Sequence, residues 1–209
     1  MKLKNMLSIT FTSFFVFSIF LSACAMKTSP NVTLSPKDDK KIPIKVGYYI
    51  DPSINNLKYS TKGTGSVGLF LFSPLAATAA SGDIQVDETV CNGVDTVLKT
   101  AFNEVVSLSS LDLDFESQNI KAVFIPELLY FDINVPVGST QDEKAMIKVK
   151  WTVMDSNKQT LFVREITGEA QGLCYKNSCR KELLHKAIQD HCQKAYDIFV
   201  EQRFWAEVK

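Results

Sequence analysis

Histidine is almost missing: the 209-residue chain holds only His185 and His191. Two imidazoles offer little for acid–base relays or nucleophile activation, and no G-x-S-x-G occurs to present a serine. A surplus of charge is missing as well, with 23 basic against 23 acidic residues. A chain so balanced has no electrostatic footprint for nucleic acid. Past the first two dozen residues, the small-residue apolar stretch Leu69–Ala80 has only 12 residues. A membrane-crossing helix needs ~17 or more. The expectation from these absences is a chain that is not an enzyme and uses no cofactor, metal, nucleotide or nucleic acid.

What is present begins at the amino terminus. Met1-Lys2-Leu3-Lys4 is followed by MLSITFTSFFVFSIFLSA over residues 6–23, without one charge. A short basic start and an apolar stretch closing on small residues form the pattern of an export signal. By length the stretch could also be a short transmembrane anchor. The tetrad Leu21-Ser22-Ala23-Cys24 tips the reading, because it resembles the lipobox of bacterial lipoproteins. That resemblance implies diacylation of the Cys24 thiol with chains such as palmitate, cleavage before Cys24, and acylation of the new amino terminus. Each buried methylene contributes ~0.8 kcal/mol, so two or three chains hold a protein to a leaflet where one would not. Ala25, rather than Asp, stands after the cysteine. By resemblance to enterobacterial sorting this implies the outer membrane; the body is expected on its periplasmic face.

The expected organisation is therefore a signal peptide over 1–23, a lipidated cysteine and flexible tether over 24–43, and one α/β periplasmic domain over 44–209. Loss of Lys2 and Lys4 leaves 21 basic against 23 acidic residues, a mature net charge of −2. The tether is polar, contains three prolines and shows no apolar period. Stretched at about 3.3 Å per residue it reaches ~60 Å. As a coil it spans ~25 Å.

With Cys24 assigned to lipid, Cys91, Cys174, Cys179 and Cys192 remain. An even set in an exported chain predicts two disulfides, with three possible connectivities. Cys174 and Cys179 flank a short loop and suit a local bridge. Cys91 and Cys192 would then close a loop of ~100 residues, ideally contributing ~4–5 kcal/mol. The competing reading is buried thiols acting as small apolar residues.

Along the domain, alternation and aromatics in Ile44–Ile50 predict a strand stopped by Asp51-Pro52. A helix is expected over Asp87–Val106, where Val90, Val94, Val97, Leu98, Ala101, Phe102, Val105 and Val106 recur at three and four. Ala122–Val137 reads as a strand with Pro126 at an edge or bulge. Residues 146–154 alternate, with Ile147, Val149, Trp151 and Val153 on one face and Lys148, Lys150 and Thr152 on the other. A turn at Asp155–Lys158 returns the chain along residues 159–172. The last helix is expected over Cys179–Arg203, burying Leu184, Ala187, Ile188, Ala195, Ile198 and Phe199. The order β-α-β-β-β-α predicts an α+β fold, a single domain with a mostly antiparallel sheet and two helices on one face, its lysine side open to water or a partner. Over Lys45–Phe204 this element order is similar to small envelope-assembly lipoproteins of Gram-negative bacteria. They include transport auxiliaries and lipoproteins that form or cap curli and exopolysaccharide export channels.

Three apparent motifs need weighing. Gly63-Thr64-Gly65-Ser66-Val67-Gly68 matches G-x-G-x-x-G, but its preceding residues are polar and Pro74 interrupts the run after it, so the dinucleotide reading fails. The adjoining Leu69, Phe70, Leu71 and Phe72 either pack onto the sheet or form an exposed contact for a partner or acyl chain. Cys174, Cys179, His185 and His191 lack zinc-finger spacing, and two histidines six apart on a helix diverge. Asp112, Asp114 and Glu116 read as a solvated strand face rather than a calcium loop. The sequence thus favours a non-catalytic accessory or assembly subunit of an envelope transport or secretion machine. A lipid- or glycan-binding carrier is the alternative, and a hydrolase with an unrecognised site is a third.

Overall fold

The computed structural model describes residues 31–36, 40–51, 54, 58–60, 83–85, 87–134, 142–174, 177–201 and 205. Seven strands and two helices are formed among them: β1 (Ile42–Tyr48), β2 (Lys58–Ser60), β3 (Asp83–Gln85), α1 (Asp87–Ala101), β4 (Phe102–Ser107), β5 (Ala122–Asn134), β6 (Glu143–Asp155), β7 (Thr160–Gly172) and α2 (Asn177–Phe199). The main sheet has the order β4-β1-β5-β6-β7. β1 runs parallel to both β4 and β5, whereas β5–β6 and β6–β7 are antiparallel. The α+β class stands, and the sheet is mixed rather than purely antiparallel: its long β5–β6–β7 pairings are antiparallel and its shorter β1 pairings parallel.

That difference traces to one misjudged boundary. The expected helix Asp87–Val106 ends at Ala101, and Phe102–Ser107 is strand β4. Three-and-four spacing of Val97, Leu98, Ala101, Phe102 and Val105 continues across the junction, so periodicity alone cannot find it. The β-branched pair Val105-Val106 suits a strand better. The chain thus crosses from β1 through α1 to a parallel neighbour, which requires just such a long connection. β2 and β3 pair antiparallel as a separate two-stranded sheet. They bring together the ends of the segment that carries the glycine motif and Leu69–Phe72, all of which lie outside the described residues.

β6 shows why its register is fixed. Ala145, Ile147, Val149, Trp151 and Val153 are buried while the intervening residues are half-exposed. A one-residue slip would turn every one of them to solvent. Both helices cover this face, and one core joins Val94, Val97 and Leu98 of α1, Leu184, Ile188 and Phe199 of α2, and Phe124 and Trp151 of the sheet. Pro126 lies beyond the last β1 rung at Phe124, on a side of β5 that is locally an edge. There its missing N–H costs nothing.

The opposite face carries a second, smaller core. Leu108, Phe115, Ile120 and Val123 are buried there, with Tyr49, Val106 and Ile125 against them. Gly47 makes room, since a Cβ at that position would meet Leu108 Cδ1 at 2.8 Å. Asp112, Asp114 and Glu116 belong to this covering loop and not to a strand. Their carboxylates are exposed, as expected, but Asp114 Oδ1 accepts the Glu116 and Ser117 N–H groups in an Asx turn. Asn119 closes that turn in the left-handed region at φ 56°. Lys158, at φ 64° in the β6–β7 hairpin, places its Nζ 5.4 Å from the Phe115 ring.

Within the stretch expected to be a flexible tether, residues 31–36 pack against the body. Val32 is 5% exposed and joins the main core, with Leu34 packed beside it. Residues 31–36 form a strap lying on the helix layer.

Candidate functional site

The strap is held by two glutamines one helical turn apart on α2. Gln189 Oε1 accepts the Thr33 N–H at 2.9 Å while its Nε2 donates to the Thr33 carbonyl. Gln193 repeats the arrangement on Ser35, at 2.8 Å and 3.2 Å. Each side-chain amide therefore pairs both polar groups of one residue, as a neighbouring β-strand would. Residues two apart on an extended chain lie ~6.6 Å from each other, and residues four apart on a helix rise ~6 Å. That match lets one helix serve as a strand's partner. Val32 fills a seat beside Gly93, where an added Cβ would meet Cys192 Sγ at 2.7 Å and Val32 Cγ2 at 3.4 Å.

Cys174 and Cys179 are joined, with an S–S distance of 2.01 Å. Beside them Arg180 donates from Nε and Nη2 to the two oxygens of buried Glu143, each at 2.7 Å, pinning the start of α2 to the start of β6. The second expected bridge, Cys91 to Cys192, is not formed. Cys192 carries a buried thiol, and burial pushes its pKa up to about 12. Such a thiol is inert, as an apolar residue of its size would be.

The two histidines are not partners in a site. His191 lies in the core under Trp151, whose Nε1 donates to His191 Nε2 at 3.2 Å. Since an indole only donates, the neutral imidazole carries its proton on Nδ1. The Ile166 carbonyl is near enough to favour a charged ring, yet Nδ1 completes no hydrogen bond. Burial prevails and brings the His191 pKa down to about 4. His185 is only partly buried, and desolvation lowers its pKa too. Among the described residues, no three metal-ligating side chains converge.

The uncovered part of the sheet's other face is a lattice of paired charge. Lys144 pairs with Glu169 at 2.8 Å, Lys148 with Glu165 at 2.5 Å, and Lys150 with Glu127. Exposed Tyr130 and Val163 stand within it, and Tyr130 donates its hydroxyl to Asp132 at 3.0 Å. At the β4 edge, Lys41, Lys45 and Lys99 line an open pocket of about 460 Å³ together with Glu104 and Val105. Lys99 is already paired with Asp95 at 2.7 Å. Lysines beside a glutamate could hold a small anion, but they supply no nucleophile with an activating base.

The outer edge of β7 is partly capped by α2. Lys194 Nζ donates to the Thr167 carbonyl at 3.0 Å, and Asp190 accepts the Glu169 N–H at 2.9 Å. These two side chains are themselves paired at 2.7 Å. Sequence reasoning missed both this cap and the strap contacts. The only available hint was the polar spacing of Gln189, Asp190, Gln193 and Lys194 on a helix otherwise rich in core residues. Cys24 and Leu69–Phe72 lie outside the described residues.

The described residues thus define a class: an α+β body with helices on one sheet face and an amino-terminal strap across the helices. No protein-family model matches the chain, and no curated protein matches it in sequence. Among solved structures, a DUF330 protein from Xanthomonas campestris is similar with a TM-score of 0.51 and 8% identity, over 84% of this chain and 92% of that one. A minor lipoprotein from Acinetobacter baumannii gives 0.44 at 10% identity, over 78% and 96%. The PelC dodecamer subunit from Paraburkholderia phytofirmans gives 0.40 at 14%, over 75% and 87%. The first shows a shared fold and nothing of activity; scores below 0.5 add no argument.

Proposed function

We propose that this chain is a non-catalytic lipoprotein held by acyl chains on Cys24 at the periplasmic face of the outer membrane. It serves as an accessory or assembly subunit of an envelope transport or secretion machine. The observation that carries this reading is Leu21-Ser22-Ala23-Cys24 closing the uncharged run 6–23. The surfaces support it: Tyr130 and Val163 are exposed on a sheet face whose charges pair internally, a suitable platform for a protein partner. Tyr130 and Val163, standing among paired charges, can be buried without stranding an ion. A carrier would hold its lipid or glycan between the sheet and the stretch with Phe70 and Phe72, which lies outside the described residues.

Two measurements test the proposal. Cells given a fatty-acid probe should label the intact chain and not Cys24→Ala; label on the variant would remove the anchor. Crosslinking at Tyr130 in intact envelopes should capture a defined protein partner. Recovery of the free monomer alone would remove the accessory role.

A further inference from the structure

We infer that the strap fixes which side of the body faces the membrane: the helix layer lies against the leaflet and the charged sheet face is presented away from it. This orientation rests on the proposed acylation of Cys24 and is not contained in the sequence.

Chain length sets the constraint. Asn31 lies seven residues on from Cys24, and a fully extended chain covers at most about 3.6 Å per residue, so the leash is ~25 Å. With the strap released, the first fixed residue would be Ile42 at the start of β1, 18 residues from Cys24. The leash would then reach ~65 Å. A compact body of this size has a radius of gyration of ~15 Å and a diameter of about 40 Å. A path of ~25 Å from the middle of the helix layer is too short to pass round to the opposite face, whereas ~65 Å permits any orientation. The strap converts a loose tether into a directional mount.

The attachment is specific enough to do this. Val32 is buried at the α1–α2 seam, and the N–H and C=O groups of Thr33 and Ser35 are each matched by a glutamine amide. On the outer side of the same helix, Lys186 is exposed and paired with Glu182 at 3.0 Å, as a surface near headgroups tolerates. Tyr130 and Val163, on the other side of the sheet, would then point toward the aqueous space where partners reside.

The test uses the full lipidated chain in vesicles containing a headgroup-attached acceptor dye. A donor dye is placed through a non-natural amino acid at Lys186, or in a second sample at Val163. Energy transfer should be several-fold greater from position 186. The triple variant Val32→Ser, Gln189→Ala, Gln193→Ala should bring the two positions to similar transfer, and should speed amide exchange at Thr33 and Ser35 at least ~10-fold, the loss of protection expected of a released segment. Vesicle-bound wild type with equal transfer from both positions would overturn the orientation. Fast exchange at Thr33 and Ser35 in the wild type would overturn the docking itself. A wild type that fails to float with vesicles would defeat the anchor and the orientation together, and strap exchange in that sample would still report whether the strap docks.

Discussion

At the scale of single residues, His191 couples this fold to pH. Trp151 donates to Nε2, so a proton arriving there would set two donors head to head in a buried site. The groups around it do not offset that cost: Asp190 favours the charged ring and Lys194 opposes it from the same helix, while β7 contributes the Ile166 carbonyl and β6 the indole. The folded pKa of about 4 lies below the ordinary 6.5. Between these values the unfolded chain binds the proton and the folded one does not, so stability rises with pH and is lost as pH falls through that window. Going from pH 7 to pH 5, this residue alone should remove about 2 kcal/mol. His191→Gln keeps an acceptor for Trp151 and cannot titrate. Urea unfolding at both pH values should show a clearly smaller loss for the variant, and identical losses would refute the assignment. His185 adds a weaker slope of the same sign in both proteins.

At the scale of elements, the contact of α2 with β7 depends on Gly168. A Cβ there would stand 2.1 Å from the Ala187 carbonyl oxygen and 2.5 Å from His191 Cβ. Neither neighbour can swing aside, since one is backbone and the other a first side-chain carbon. The helix must lift, so Gly168→Ala should cost at least ~3 kcal/mol, the upper range for overpacking. Gly172, four residues on in the same strand, meets only Leu183 Cδ1 at 3.6 Å, an ordinary contact. Gly172→Ala should stay within ~1 kcal/mol, helped by a less flexible unfolded chain. Thermal unfolding of both variants separates close approach from a general intolerance of β7; equal costs would favour the latter. The same pair of elements shows what a sequence discloses. The alternation in β6 and the apolar stripe of α2 were legible because each is a local period tied to one buried face. Neither Gly168 nor the α1–β4 boundary was, because one depends on a helix later in the chain and the other keeps a helical spacing into a strand. The strap was the least legible, since Thr33 and Gln189 stand 156 residues apart and neither is apolar.

At the scale of the molecule, charge is arranged so that the body by itself has little attraction for a bilayer. Residues 24–209 carry two more acidic than basic residues, and every lysine of the β6 face is paired with a glutamate. The lysine cluster at the β4 edge is weakened from within: Asp95 holds Lys99, and Glu104 shares the pocket. Free lysines near an anionic surface contribute ~1 kcal/mol each. With two opposing carboxylates close by, the net attraction of three should be about that of one, far too small to retain a protein at low lipid concentration. On the proposed acylation of Cys24, attachment comes from the acyl chains, whose insertion does not depend on salt. The unacylated chain, residues 25–209, should leave less than about a tenth of itself on vesicles rich in anionic lipid, and lowering the salt should raise that fraction only slightly, because the attraction that salt screens is about that of one lysine. Strongly salt-dependent binding of this chain would place a functional basic surface on the body and would assign the membrane contact to protein side chains.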